Sequence, residues 1–578
     1  MSIEESAATR VAGELIAAGQ PFEIVEEVVR GRRMRVWRNA PRALADLLTN
    51  SLAWGELDYL VHGEQRWTYA AHARAAASVA RYLVDELAVG PGNRIAIAAS
   101  NRIEWSIAFW GAASAGAIVV PLNSWGAGEE LDYAIRDSGA TVLFADAARL
   151  ARLAGRLAGI DVITLDGPGL APGASSVREL AAAIDLDAEF SLPAIELDTD
   201  DDATIFYTSG TTGRPKGAIG THRNMTTNVM NLLYWGAAAA RLSDASDSTA
   251  AQQESTQQSV LVTVPLFHAT GCHATLVAAA AQGSKLVLLN KFDAAVAVDL
   301  IERERLTRIM GVPTTIQAIV AAGAGRDLSS ITYVGYGGAP SSPSLPAAIR
   351  RAMPNATLGV GYGLTESSAN ATTNIGDSYE ANPTSVGRPC PVVEVGIVDE
   401  DGQSVAPGII GEVVLSGPNI VRGYWKRPID SAAAFVNGAL RTGDLGYVDE
   451  LGNLYITDRS KDIVIRGGEN VYCAEIEHIL ADDPQITEAA VIGRPHPRLG
   501  EEVLAIVRLA APFTPQTFDE RAARARIGER LAAFKVPSTI AVHGEPLPRT
   551  ITGKLRKDLL RQHYTSAAAS TDHEVSSR

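Results

Sequence analysis

Two stretches of the chain alternate between short apolar runs and amphipathic segments, and this alternation restricts the fold more than any other feature. Ile95 to Ala99 reads as a strand, Ile103 to Ala113 as a helix and Ile118 to Leu122 as a strand. Glu130 to Asp137 reads as a helix, Thr141 to Ala145 as a strand, and Val162 to Leu165 as a strand after the helix from Arg149. The pattern resumes with strands at Val260 to Val264, Lys285 to Leu289, Thr332 to Val334 and Leu358 to Val360. Helices separate them, from about Ala269, from Val296 to Leu306 and from about Leu345. Strands and helices that alternate with short loops predict a mostly parallel sheet covered on both faces, an α/β fold.

After Gly387 the texture changes to short strands and glycine turns, as expected of a distorted β subdomain. Beyond Lys461 roughly a hundred residues carry their own helices and strands. The expected organisation is therefore a large N-terminal domain over residues 1–460, a small α+β domain over 461–565, and a disordered polar tail over 566–578. Residues before about 40 carry helical patterning, and the polar run from Arg241 to Gln258 reads as a solvated loop.

The 578 residues carry a net charge of −15, which argues against a nucleic-acid partner because such a partner needs a basic face. Cys272, Cys390 and Cys473 are the three cysteines, with no CxxC, as expected of a reducing, cytoplasmic compartment. The N-terminus lacks an apolar core. The most apolar window, Ser106 to Leu122, is rich in Ala and Gly and ends around Pro121, so it reads as a buried helix and strand rather than a transmembrane segment.

Chemistry concentrates first at Tyr207 to Gly217, YTSGTTGRPKG. The strand Ala203 to Phe206 leads in, and a helix from Asn224 to Leu233 follows. Thr208, Ser209, Gly210, Thr211, Thr212 and Lys216 offer hydroxyls, close-approach backbone and a point charge, a phosphate-binding set. The common nucleotide loop, Gly-x4-Gly-Lys-Ser/Thr, fails twice, at Pro215 and Gly217. Read alone, a Gly/Thr-rich surface turn is the competing reading of the stretch.

Further glycine turns follow predicted strands, where open α/β sheets bind ligands. GYGGAP spans Gly335 to Pro340 and GYGLTE spans Gly361 to Glu366. Thr365 and Glu366 suit a phosphate oxygen and a magnesium ion, or simply a helix cap. Asp444 suits a ribose or a turn. His268 is a catalytic candidate with a structural histidine as the competing reading, and Lys554 by itself is an ordinary surface lysine.

YTSGTTGRPKG, PLFHATG, GYGLTE, RTGD, DRSKD, GGENVYCAEIE and PRTITGK occur in this order. Together they resemble the adenylate-forming superfamily, in particular its acyl-CoA synthetase branch, from about residue 40 to 560. The resemblance implies an acid–thiol ligase that uses ATP, Mg2+ and coenzyme A. Thr208, Ser209, Gly210, Thr211, Thr212 and Lys216 would close over the β- and γ-phosphates. Thr365 would meet the α-phosphate and Glu366 the magnesium. Gly338, Ala339, Pro340 and Gly361-Tyr362-Gly363 would flank adenine, and Asp444 and Arg459 would hold the ribose. Lys554 would bridge the acid and the α-phosphate, Lys461 would be the hinge, and Gly467, Gly468 and Glu469 would line a thiol channel.

Cys473 stands where many relatives have Pro, and reads as a buried thiol. The implied acid is a medium- or long-chain fatty acid, with an aryl or arylalkenoic acid as the alternative. A free-standing enzyme that loads a carrier-protein thiol also remains open, as does the choice between monomer and homodimer.

Overall fold

The computed structural model describes residues 7–169, 171–208, 214–246, 257–338, 344–467, 469–550 and 555–571. Two large sheets carry the alternating stretches. In the first, seven strands lie in the order Lys216–Thr221, Asp202–Thr208, Ile118–Pro121, Arg94–Ala98, Val142–Ala145, Asp161–Thr164 and Ser176–Glu179. All neighbours are parallel except the hairpin at the Lys216–Thr221 edge. The second has nine strands. Its middle, from Thr357–Tyr362 through Tyr333–Gly337, Arg308–Gly311, Ser259–Val262 and Lys285–Leu288 to Asp58–His62, is parallel. Thr372–Ile375 and Gln65–Thr68 flank it antiparallel.

Parallel strands are buried on both faces, so they read as unbroken apolar runs. Ile95, Ala96, Ile97 and Ala98 are all fully buried. The helix Ile103–Ser114 is buried around its whole circumference, and the rings of Trp105 and Phe109 stack at 5.6 Å. It packs against the helix Tyr69–Leu87 at Gly111, where a Cβ would stand 2.6 Å from Val79 Cγ1. One core joins these helices to Ile95 and Val119 of the first sheet and to Tyr59, Val260 and Leu286 of the second. The helices therefore fill the space between two sheets. This accounts for the apolar window at 106–122, and among the described residues no helix is long and apolar enough to cross a membrane.

A third, antiparallel sheet holds Glu394–Val398, Gly411–Ser416, Ala439–Val448, Phe435–Val436 and Leu454–Arg459. The last sheet lies within residues 464–542 and has its own core around Val464, Cys473, Ile476, Val503 and Ile527. Lys461 sits in the turn between Leu454–Arg459 and Val464–Arg466. Across this junction, Asp458 Oδ2 accepts from the Ala474 backbone at 3.3 Å, at the start of the helix Cys473–Ala481.

Several boundaries differ from the sequence expectation. After a short helix, Ala7–Ile16, the N-terminal region forms the hairpin Ile24–Val29/Arg32–Trp37 instead of more helix. Its two-residue turn, Arg30-Gly31, has φ of 50° and 78°, the twist that tight hairpins favour. Tyr333–Gly337 and Thr357–Tyr362 extend into their glycines, so Gly335 to Gly337, Gly361 and Tyr362 are strand residues rather than turns. Glycine permits this because the two strands approach closely, and a Cβ on Gly337 would lie 2.4 Å from the Gly361 carbonyl oxygen. The helix after the phosphate loop runs from His222 to Ser246, so the first part of the 241–258 run is helical, while 247–256 lies outside the described residues. The helix after His268 contains a π-helical segment, Cys272–Val277. The last helix, Lys557–Thr571, runs past 566, where a disordered tail was expected.

Candidate active site

The strand Asp202–Thr208 and its antiparallel partner Lys216–Thr221 bracket the phosphate loop, with Thr208 opposite Lys216 and Tyr207 opposite Gly217. A Cβ on Gly217 would meet Ile205 Cγ2 at 2.5 Å, so glycine is required for this pairing. Tyr207 Oη donates to Asp137 Oδ2 at 2.8 Å and Tyr133 Oη to the Pro215 carbonyl at 3.1 Å, tying both ends of the loop to one helix, Gly128–Ser138. Ser209, Gly210, Thr211 and Thr212 lie outside the described residues.

Residues 421–425 add to the free edge of Lys216–Thr221. Ile219 N bonds Gly423 O at 2.9 Å, and Trp425 N bonds Gly217 O at 2.8 Å. This pairing brings Tyr424 beside the loop. Its hydroxyl donates to Glu366 Oε1 at 2.8 Å, and Lys216 Nζ lies 5.3 Å from the centre of its ring. Lys216 itself is paired with Asp430. Tyr424 and Asp430 were not among the sequence candidates. The only signal was the Gly-Tyr-Trp run at 423–425, which has no periodicity and is followed by the short helix Pro428–Ala434 that carries Asp430.

Glu366 follows the strand Thr357–Tyr362, within the short turn Thr365–Ser367, and is 9% exposed. Ser368 and Ala369 immediately after it have φ of 57° and 90°, a backbone strain typical of sites where surroundings over-determine conformation. Asn419 Nδ2 donates to the carbonyls of Ser367 and Asn370, each at 3.1 Å, and Val421 N donates to Glu366 O at 2.9 Å. The 419–421 segment therefore clamps the turn from behind.

Asp444, 4% exposed, faces Arg459 in the pairing of Ala439–Val448 with Leu454–Arg459, and Arg459 Nε lies 2.9 Å from its Oδ1. Tyr362 Oη donates to the other oxygen at 2.7 Å. Burial, together with the Asp444 charge, raises the Tyr362 pKa, so that hydroxyl stays a donor. Gly361, Tyr362 and Gly363 thus lie next to Asp444 and Arg459, as an adenosine site would need. Gly338 has a φ of 75° at the end of the neighbouring strand, and Ala339 and Pro340 lie outside the described residues.

His268 precedes the short helix Ala269–Gly271, and its ring is 4.5 Å from that of Phe267. A Cβ on Gly271 would fall 2.1 Å from the Pro265 carbonyl oxygen, so the segment folds back tightly. His273, on the π-helical segment, stands edge-on to Phe206 at 4.6 Å, on the strand that leads into the phosphate loop. Burial lowers its pKa to about 4, partly opposed by the Ser368 backbone. Asn228, on the helix His222–Ser246, is fully buried with neither amide atom hydrogen-bonded, and Asn231 Nδ2 is likewise unpartnered. Each such buried group costs about 1–3 kcal/mol when unpaired. Met230 and Tyr234, by contrast, pack with Phe22 and Trp37 in the core.

Lys554 and Gly468 lie outside the described residues. Gly467 (φ 64°) and Glu469 sit in the hairpin Val464–Arg466/Glu469–Val471 of the last sheet. Among the described residues no cluster of three or more His, Cys, Asp or Glu could hold a metal ion by itself. A magnesium ion nevertheless suits Glu366. Tyr424 occupies one of its carboxylate oxygens, and magnesium commonly takes only one or two protein carboxylates, completing its shell with phosphate and water.

Paired large sheets, an antiparallel third sheet and a separate small domain, with this site along the strand ends, define an adenylate-forming enzyme. The chain belongs to the AMP-binding enzyme family: the family model matches residues 50–425, and that of the AMP-binding enzyme C-terminal domain matches residues 475–554. Within the family it is an acid–CoA ligase. A feruloyl-CoA synthase from Amycolatopsis sp is 35% identical over 505 residues, covering 87% of this chain and 95% of that protein. The long-chain-fatty-acid–CoA ligase FadD13 of Mycobacterium tuberculosis is 33% identical, covering 87% of this chain and 94% of that one. Among solved structures, ATP-bound MatB from Rhodopseudomonas palustris superposes with a TM-score of 0.78 at 29% identity, over 91% of this chain and 99% of that chain.

Proposed function

We propose that this ligase activates an aryl or arylalkenoic monocarboxylate. The observation that carries this reading is the pair of buried amides Asn228 and Asn231, one turn apart on the helix His222–Ser246, whose Nδ2 atoms have no hydrogen-bond partner among the described residues. A fatty acyl chain would leave these groups unpaired, whereas an aromatic acid with an oxygen substituent could pair with them. The feruloyl-CoA synthase, whose name gives an arylalkenoyl thioester, agrees with this reading. A medium- or long-chain fatty acid is the second reading, supported by the similarity to FadD13.

The acid carboxylate attacks the α-phosphorus of ATP, and pyrophosphate leaves in line with it. The protein's work is to position the reactants and to stabilise charge on the phosphoryl oxygens. Lys216 leaves Asp430 to take the β- and γ-phosphates together with Thr208, Ser209, Gly210, Thr211 and Thr212. Thr365 donates to the α-phosphate, and Lys554 bridges that phosphate and the acid. Tyr362, Asp444 and Arg459 hold the nucleoside, with Gly338, Ala339, Pro340, Gly361 and Gly363 as the flat wall. Magnesium bound at Glu366 would neutralise charge on the leaving pyrophosphate. Rotation of the small domain about Lys461 then withdraws Lys554 and brings Gly467, Gly468 and Glu469 beside the adenylate, where the CoA thiol displaces AMP.

The test is AMP formation across a panel of fatty, benzoic and cinnamic-type acids, with and without CoA. Hydroxylated aromatic acids are expected to give the highest kcat/KM. A preference of tenfold or more for C10–C16 fatty acids would replace the first reading with the second.

A further inference from the structure

We infer that Tyr424 is a positioning residue that pins one oxygen of Glu366 and keeps Lys216 from collapsing onto that carboxylate. The inference rests on the reading of Glu366 as the magnesium ligand and of Lys216 as a phosphate ligand.

An unliganded site that keeps a lysine and a carboxylate for opposite ends of one substrate has a built-in hazard. With no ligand bound, the two side chains attract each other, and an internal ion pair would occupy both. The structure shows how this is avoided. The Tyr424 hydroxyl holds Glu366 Oε1 at 2.8 Å, while Lys216 Nζ rests over the face of the same ring and pairs with Asp430 instead. The ring face attracts the cation and the hydroxyl attracts the anion, so one side chain holds both charges in separate places.

Tyr424 is itself firmly placed. Its backbone pairs with Ala218, its N–H donates to Ser431 Oγ at 2.8 Å, and its ring meets Phe435 edge-on at 5.6 Å. With Oε1 taken, Oε2 is left for a divalent cation, and the carboxylate cannot turn away from it.

Tyr424→Phe removes the hydroxyl and keeps the ring, whereas Tyr424→Leu removes both. Two quantities are measured on the full-length protein without acid: ATP affinity by equilibrium dialysis as a function of Mg2+, and the unliganded melting temperature. Tyr424→Phe is expected to raise the half-saturating Mg2+ about tenfold while shifting the melting temperature by less than about 3 °C. Tyr424→Leu is expected to weaken ATP binding further even at saturating Mg2+, because Lys216 is then free to pair with Glu366. Glu366→Gln is the control. If it alters the Mg2+ dependence and Tyr424→Phe does not, the inference is wrong and the reading of Glu366 stands. If Glu366→Gln leaves the Mg2+ dependence unchanged, the reading of Glu366 fails and the inference falls with it. If both tyrosine variants weaken ATP equally at every Mg2+ concentration, the role of Tyr424 is structural and the inference is overturned.

Discussion

Tyr362 and Asp444 stand 82 positions apart and in different sheets, yet the tyrosine hydroxyl meets the carboxylate at 2.7 Å. Arg459 takes the other oxygen at 2.9 Å. The pair joins the second large sheet to the antiparallel third sheet at the expected nucleoside pocket. Tyr362→Phe removes one charge-assisted hydrogen bond, worth about 1.5–3 kcal/mol. It is expected to raise the KM for ATP by tenfold or more with little change in the KM for the acid. Steady-state kinetics with each substrate varied will check this, and an equal rise in both constants would contradict the assignment.

Gly337 and Gly361 face each other across two parallel strands, with 2.4 Å between a built Cβ on Gly337 and the Gly361 carbonyl oxygen. Backbone offers no soft side chain to move aside. Gly337→Ala is therefore expected to cost about 1–3 kcal/mol of stability and to widen the floor under Gly338. Urea denaturation together with AMP binding tests this. A variant of unchanged stability would mean that the strands can separate freely.

Lys554 is expected to serve only the first half-reaction. Lys554→Ala should abolish acid-dependent ATP–pyrophosphate exchange while sparing thioester formation from synthetic acyl-adenylate and CoA. Equal loss of both would remove Lys554 from its proposed role.

His222 is buried, and its Nδ1 accepts a hydrogen bond from Leu44 N at 3.3 Å, so the folded ring must be neutral. Burial lowers its pKa to about 4, partly opposed by Asp201 and Asp46. Unfolded histidine titrates near 6.5. Between those values the unfolded chain binds a proton that the folded chain does not. The stability from this group is therefore complete above pH 6.5 and is lost as pH falls toward 4, at about 1.4 kcal/mol per pH unit. His222→Gln keeps an acceptor and cannot charge, so its urea midpoint should fall less between pH 6.5 and 4.5. Parallel slopes in the two proteins would refute this.

The three cysteines are buried, and burial raises the thiol pKa of each. Cys473 also donates to the Asp462 carbonyl at 2.9 Å, which fixes it as a packing residue at the domain junction. Native protein is expected to resist iodoacetamide at pH 7.5 and to label fully in guanidinium chloride. Rapid native labelling of Cys473, followed by mass spectrometry, would instead indicate that the junction opens.

What the sequence determined by itself was the local chemistry: buried strands as apolar runs, a cationic and hydroxyl-rich loop, and seven ordered motifs. Those signals lie within a few residues of one another, so short-range pattern suffices to read them. Gly337 was visible as a glycine, but not as a strand residue, because its requirement comes from the opposing Gly361 backbone rather than from a neighbour in sequence. The stripe of Met230, Leu232, Leu233 and Trp235 could equally have lined a tunnel, and only packing in the cluster with Phe22 and Trp37 assigned Met230, Leu233 and Trp235 to the core. The loop YTSGTTGRPKG was read as a phosphate site, but not as one whose Lys216 would pair with Asp430 over the ring of Tyr424. That arrangement depends on a segment 200 residues downstream adding to the edge strand after the loop. Such an encounter is decided by tertiary folding, because a hydrogen-bonded edge has no sequence signature until its partner is known.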